Sequence, residues 1–305
     1  LTDLSTRLGP LQLKNPLVAV SGTFGYGFDY GDLVPPDTFG AVVVKGTAPE
    51  PWSGNPPPRI RETPSGMLNA IGLENPGVDE VISEHLPVLA GSDTAVIVNV
   101  VGRTVKDYVT VAGKLGDVSG VDALEINISC PNVKTGGLAF GTSGDAVESL
   151  VKSVRRSCSL PLVVKLTPNV TDIGEIARAA ERGGADALSL INTVLGMEID
   201  VPHRKPVLGN VFGGLSGPAI RPVALRCIWQ VHEVTDLPIL GMGGVSSARD
   251  VVAFMLAGAA AVGIGTAIFS NPSLPGAVLC DLRKYYEREG RPPVGGAHLE
   301  RGDET

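Results

Sequence analysis

The sequence predicts an α/β protein of the (β/α)8 TIM-barrel class, with loop insertions over its C-terminal face and a single domain covering residues 1–305. Three observations predict it. Eight short segments rich in Val, Ile, Ala and Leu recur along the chain, and continuous apolar runs are the mark of strands buried on both faces. Helical patterns lie between several of them. Polar residues then gather at the C-terminal ends of the apolar segments, the end at which barrels carry their sites. On pattern alone, a doubly wound open sheet is the competing architecture.

In chain order the strand candidates are LVAV (17–20), AVVVKG (41–46), AVIVNV (95–100), ALEINI (123–128), LVVKLT (162–167), ALSLIN (187–192), PILGMGG (238–244) and AAVGIGT (260–266). The helical patterns are VDEVISEHLPVLA, TVKDYVTVAGKL, AVESLVKSVRRS, IGEIARAAERG, IRPVALRCIWQVHEV and ARDVVAFMLAG. Two insertions break the repeat. Residues 47–77, rich in Pro, Gly and Asn, predict an ordered but irregular excursion, and residues 194–217 predict a second one. Both are expected to rise over the C-terminal face and shape a binding site there. The polar tail VGGAHLERGDET is expected to fray.

A hydrophobic fraction of 43% supports a large core, while the net charge of −7, without any Lys/Arg run, argues against nucleic-acid or anionic-membrane binding. The mixed polar start LTDLSTRLGPLQLKNP is not a signal peptide, and no run of apolar residues is long enough to span a bilayer. Four Cys, at 130, 158, 227 and 280, form neither a C-x-x-C pair nor a zinc spacing, so reduced thiols in a cytoplasmic protein without metal are expected.

Cys130 is the most informative position. It follows a strand in INISCPN, precedes the Gly-rich VKTGGLAFGTSG, and is flanked by Pro131 and the amides of Asn127 and Asn132. That setting suits a general base or nucleophile facing a polar substrate, against the plainer reading of a buried thiol. The plainer reading is preferred for Cys158, Cys227 and Cys280. Lys45 and Lys165 stand among apolar neighbours in VVVKG and LVVKL, and are read as cations on neighbouring barrel positions facing an anionic ligand and an electron-rich ring. A Schiff-base lyase using Lys165 is the competing chemistry. GMGGVSSARD (241–250) and GIGTA (263–267) follow the last two strand candidates, where barrels bind phosphate. Asn69, Asn99, Asn127 and Asn192 suit a heterocycle with alternating donors and acceptors, whereas Asn75 before Pro76 reads as turn chemistry. His85, His203, His232 and His298 read as surface or structural, and no carboxylate pair or metal-ligand cluster stands out.

Taken together, INISCPNVKTGG, SGTFGYG, KGTAPEPWSGNPPPRIRETPSGMLNAIGLENPG, VVKLTPN, SLINTV, GGLSGPAIRP and GMGGVSSARDVVAFMLAGAAAVGIGTA resemble the dihydroorotate dehydrogenase family from about residue 4 to about residue 285. A Cys in the SCPN motif resembles the soluble class 1 enzymes rather than the membrane-associated class 2 enzymes, which carry Ser. AIGLENPG and INISCPNVKTGG resemble the NAD-linked class 1B catalytic subunit more than the fumarate-linked class 1A enzyme. The resemblance implies FMN across the barrel mouth. Ser21, Gly22, Lys45, Thr47, Asn99, Asn127, Lys165 and Ile191 would line its ring and ribityl chain, and Gly217, Gly243, Gly244, Gly265 and Thr266 would hold its phosphate. Dihydroorotate or orotate would be held by Lys45, Asn69, Ala70, Ile71, Gly72, Leu73, Asn127, Asn192 and Thr193. Cys130 would take the C5 proton while the C6 hydride passes to the flavin, Lys165 would stabilise negative charge near flavin N1 and O2, and residues 131–142 would form a lid.

Nothing in the chain resembles an NAD fingerprint or a cluster-binding Cys array. The resemblance therefore implies a partner subunit carrying FAD and a 2Fe–2S cluster, assembled as a heterotetramer around a homodimer of this chain. A dihydropyrimidine dehydrogenase type of enzyme shares the Cys loop but needs a much longer, multi-cluster chain.

Overall fold

A computed structural model of the chain describes residues 2–129 and 140–290. Cys130, Asn132, most of the expected lid and the polar tail lie outside the described residues. Eight parallel strands close into a barrel: β1 (Leu17–Ala19), β2 (Ala41–Thr47), β3 (Ala95–Val100), β4 (Ala123–Asn127), β5 (Leu162–Lys165), β6 (Ala187–Leu190), β7 (Ile239–Met242) and β8 (Ala259–Ile264). Each pairs with its successor, and β8 pairs with β1. The expected barrel is therefore present and the open sheet is not.

Alternation along the strands divides the core in two. Leu17, Val42, Val44, Val98, Leu124, Ile126, Val164 and Leu188 face outward against the helices. Val18, Ala41, Val43, Ile97, Ala123, Val163, Ala187 and Leu240 fill the barrel interior. An N-terminal antiparallel hairpin, Thr6–Leu8 with Leu11–Leu13, completes that interior cluster with Leu8, Leu11 and Leu13. The first residues of β2, β3, β4 and β6 are all Ala, and these small side chains leave room for the three leucines at the N-terminal end of the barrel. Gly9 makes the hairpin turn at φ +61, where an added Cβ would lie 2.8 Å from the Asp186 carbonyl oxygen. The hairpin was not among the elements expected from the sequence.

Helices α1 (Val105–Leu115), α2 (Gly144–Arg155), α3 (Ile173–Gly183), α4 (Arg221–His232) and α5 (Ala248–Leu256) form where apolar periodicity places them. Their starts are chemically specified. Thr104 and Asp107 make a reciprocal capping box on α1, Asp172 accepts from the Gly174 and Glu175 N–H groups of α3, and Ser247 accepts from Asp250 N–H on α5. The expected helix over VDEVISEHLPVLA is broken, with a π turn at Val81–His85 before Leu86–Leu89. Pro87 explains the interruption, since it has no N–H to give the preceding turn. A further helix, α6 (Leu274–Glu289), packs against α5 and was not read from the sequence.

Both insertions rise after barrel strands, but the first is more regular than expected. Ile60–Thr63 pairs with Gly66–Asn69, which pairs with Gly213–Ser216, which pairs with Val194–Gly196. The two excursions thus share one four-stranded antiparallel sheet beside the C-terminal ends of β2 and β6. Cys158 and Cys227 are buried, and burial pushes both thiols up. Cys280 departs from its expected burial, because it falls on the solvent side of α6.

Candidate functional site

The floor of the C-terminal mouth is polar although the strands beneath it are apolar. On β4, Ala123, Glu125 and Asn127 share the inward face, and Asn99, Lys165 and Ser189 face them from β3, β5 and β6. Lys165 Nζ lies 3.4 Å from Glu125 Oε2 and donates to Ser21 Oγ at 3.3 Å. Glu125 Oε1 accepts from Ser189 Oγ at 2.7 Å, Glu125 Oε2 accepts from Asn99 Nδ2, and Asn127 Nδ2 donates to Asn99 Oδ1 at 3.4 Å. The Glu125 and Lys165 side chains are 0% and 6% exposed. A buried carboxylate costs several kcal/mol in desolvation, and three donors on one carboxylate are what such burial requires. The partner demanded by an apolar-flanked Lys165 is therefore Glu125. Sequence reading missed it; the signal was period two in ALEIN, which puts the Glu on the same face as Asn127.

Lys45 is not brought to this cluster. Strands β3 and β4 stand between β2 and β5, so the two lysines do not occupy neighbouring barrel positions. The pairing of β2 with β3 slips between Val44 and Thr47, and Lys45 lines a shallow pocket with Trp52, Glu74, Asn75 and His85. Glu74 there is held below the usual carboxylate range by the Arg59 guanidinium, with a smaller contribution from Lys45. Thr47 is buried, its hydroxyl donating to the Lys45 carbonyl at 3.1 Å.

Across the mouth, loops after β6, β7 and β8 converge. Thr266 Oγ1 donates to Ser216 Oγ at 2.8 Å, and a Cβ added at Gly244 would lie 2.6 Å from the Gly217 carbonyl oxygen. Gly217, Gly243 and Gly244 all have positive φ, and Gly265 packs against Val20. Gly22, at φ +84, has open space where a side chain would stand. Asp250 braces the β7 loop by accepting from Ser246 N–H at 2.9 Å and pairing with Arg221. Burial works against ionisation of Asp250, but the Ser246 and Ser247 donors and Arg221 outweigh it and hold the carboxyl below its ordinary value. Ile191 is buried and donates its N–H to the Met242 carbonyl at 2.9 Å, linking β6 to the same wall.

The segment Asn69–Leu73 leaves the small sheet at its barrel end. Asn69 Nδ2 donates to the Gly214 carbonyl at 3.4 Å, Ala70 and Ile71 are tied to Arg59 and Asn55, and Gly72 and Leu73 turn through positive φ. Asn75, read as turn chemistry, locks this turn: its Oδ1 accepts from Ala48 and Gly77 N–H, and its Nδ2 donates to the Leu73 carbonyl at 2.8 Å. Asn192 and Thr193 enter the same sheet from the end of β6, and Asn169 Nδ2 donates to the Thr193 carbonyl at 3.0 Å. His85 is structural as expected, stacked on Tyr26 at 4.0 Å between ring centroids. Among the described residues, no His/Cys/Asp/Glu cluster could hold a metal ion, and no helix is long and apolar enough to cross a membrane.

The arrangement is a bowl whose floor holds amides and a buried lysine–glutamate pair, with a glycine-rich arc on one wall and a sheet over another. It leaves room for a flat ring and an anionic group against the main chain. The model of a family described as dihydroorotate dehydrogenase matches residues 3–285. A protein of Alkaliphilus oremlandii named dihydroorotate dehydrogenase B (NAD(+)), catalytic subunit, is 55% identical over 94% of each chain. Proteins of the same name from Desulforamulus reducens and Thermoanaerobacter pseudethanolicus are 52% identical over 97% of this chain and 99% of theirs, and 50% identical over 93% of each.

Proposed function

Because the chain belongs to the dihydroorotate dehydrogenase family, we propose that it is the catalytic subunit of an NAD-linked, class 1B enzyme of pyrimidine biosynthesis, oxidising dihydroorotate to orotate with FMN in the barrel mouth. The observation that carries this reading is Lys165, a buried cation aimed into the mouth and held from below by Glu125.

The residues present fit FMN. Open space at Gly22 and the close backbone approach of Gly217 and Gly244 leave room for a ligand against the main chain, as a phosphate and a flat ring require. Bound FMN supplies the hydride acceptor. Ser21, Gly22, Thr47, Asn99, Asn127, Lys165 and Ile191 line its ring and ribityl chain, and Gly217, Gly243, Gly244, Gly265 and Thr266 hold the phosphate with backbone N–H groups and one hydroxyl. Lys165 would offer its positive charge to that ring, which favours a reduced, negatively charged acceptor. Lys45, Asn69, Ala70, Ile71, Gly72, Leu73, Asn127, Asn192 and Thr193 orient the dihydroorotate, and Cys130 removes its C5 proton. The competing lyase reading of Lys165 needs a neutral amine, whereas this lysine is paired with a carboxylate, and family membership decides against it.

The relatives' shared name, an NAD(+) enzyme's catalytic subunit, supports a separate subunit that passes electrons to NAD. On our reading that subunit carries FAD and a 2Fe–2S cluster, since this chain's sequence resembles neither an NAD fingerprint nor a cluster-binding Cys array. We read the assembly as a cytoplasmic heterotetramer around a homodimer of this chain; the exposed Leu195, Met197, Ile199, Val201 and Phe212 along the second insertion support a protein contact there without choosing the partner. The test is orotate formation from dihydroorotate with a dye acceptor, before and after FMN is stripped from the purified chain. Activity that follows the yellow flavin supports the reading. A colourless chain that binds no FMN and forms no orotate defeats it.

A further inference from the structure

We propose that Glu125 is a positioning residue that fixes Lys165 beneath the flavin and offsets its charge, thereby setting how strongly the site favours reduced over oxidised FMN. This rests on the FMN reading above. Glu125 sits at the convergence of β3, β4, β5 and β6, paired in register with Asn99, while Lys165 is paired in register with both Asn127 and Ser189. Its carboxylate is fully buried and takes hydrogen bonds from Ser189 and Asn99 as well as the ion pair from Lys165. It is therefore saturated and out of reach of any substrate, so it acts only through its neighbours.

Folding alone does not require this group. Every other inward residue of the layers below is apolar, and an apolar side chain of similar size would fill the space without the desolvation cost of an ion. What the carboxylate adds is charge and direction. Two donors, Ser189 and Asn99, hold it on the side facing Lys165, and the ammonium in turn reaches Ser21 at the mouth. Reduced flavin is anionic at N1, so a lysine whose charge is partly offset stabilises it less than a bare one. Glu125 thus holds the bound flavin at a lower potential than Lys165 alone would give, which eases delivery of electrons onward.

The experiment measures the midpoint potential of bound FMN, by anaerobic dye equilibration, in wild type, Glu125→Gln, Glu125→Asp, Lys165→Met and the Glu125→Gln/Lys165→Met pair. In Glu125→Gln the preference for reduced over oxidised FMN is expected to rise about tenfold, a potential about 30 mV more positive for this two-electron couple. Glu125→Asp, which only withdraws the carboxylate, is expected to move it in the same direction by less, and it carries the test should Glu125→Gln fail to fold or load. In the Lys165→Met background the shift is expected to shrink below half. An unmoved or more negative potential in the FMN-loaded Glu125 variants overturns the inference, as does an undiminished shift without Lys165. A wild-type chain that takes up no FMN defeats the functional reading instead, so the two failures are distinguishable.

Discussion

At the residue scale, the proposed mechanism assigns Cys130 to the C5 proton and Lys165 to the negative charge on the flavin. Cys130→Ala is expected to keep FMN and orotate binding but lose turnover by about 10²–10⁴-fold, the ordinary range of general-base catalysis. A thiol titrates near pH ~8.5 and a serine hydroxyl is a far weaker acid, so Cys130→Ser should move the base-limited limb of the flavin-reduction profile to higher pH. An alanine variant with wild-type reduction would transfer the role of base elsewhere. Lys165→Ala should slow reduction by dihydroorotate while the barrel stays folded, because it removes the cation beside the ring but leaves Glu125 bonded to Ser189 and Asn99. Stopped-flow reduction at full FMN occupancy checks this, and an unchanged rate contradicts it. Lys165, Asn99 and Asn127 were legible because each is out of place in an apolar strand. Glu125 was equally out of place, yet ALEINI was read as one apolar run, and only the inward alternation shared with Asn127 exposes it. Where Lys45 points was not legible either, since a slipped register after Val44 leaves no trace in composition.

At the scale of single elements, the β7 loop and helix α5 form a wall that Asp250 holds together. Asp250→Asn removes a charged acceptor from Ser246 N–H and Arg221, so it should cost about 1.5–3 kcal/mol of stability and weaken FMN retention. Thermal unfolding and flavin release measure both, and a variant unaltered in each would deny the loop its brace. The pH dependence has a definite sign. Because the folded carboxyl is depressed, its contribution is complete above the ordinary value of 3.8 and is lost as the pH falls through the lower folded-state value. Wild type should therefore lose this increment only in acid, and Asp250→Asn should lack that acid limb. Strand and helix positions were legible from periodicity, because each strand is buried on both faces. The N-terminal hairpin was not, since three-residue strands carry too little period, and only the matching Ala residues at strand starts show where its leucines go. The small sheet was hidden for a similar reason: its strands come from two separate insertions, pairing Leu215 with Leu68, and are specified by mutual pairing rather than local pattern.

For the whole molecule, the proposed division of labour between subunits has a direct consequence. The isolated chain should pass electrons from dihydroorotate to artificial dyes yet reduce NAD poorly, because nothing in its sequence resembles a dinucleotide fingerprint. Steady-state assays with and without the electron-transfer subunit check this, and efficient NAD reduction by the lone polypeptide would contradict it. The architecture was legible as a whole because eight repeats of one unit leave a strong signal. The exposure of Leu195, Ile199 and Val201 was not, because in sequence they are indistinguishable from buried strand residues. The central claim, that this chain itself oxidises dihydroorotate with a flavin in its barrel mouth, is tested most directly by a single turnover without oxygen or any external acceptor. The purified, FMN-loaded chain is mixed with excess dihydroorotate, and flavin bleaching and orotate are followed together. The account predicts one orotate formed for each flavin bleached. Bleaching without orotate, or no bleaching of a fully loaded flavin, would contradict it.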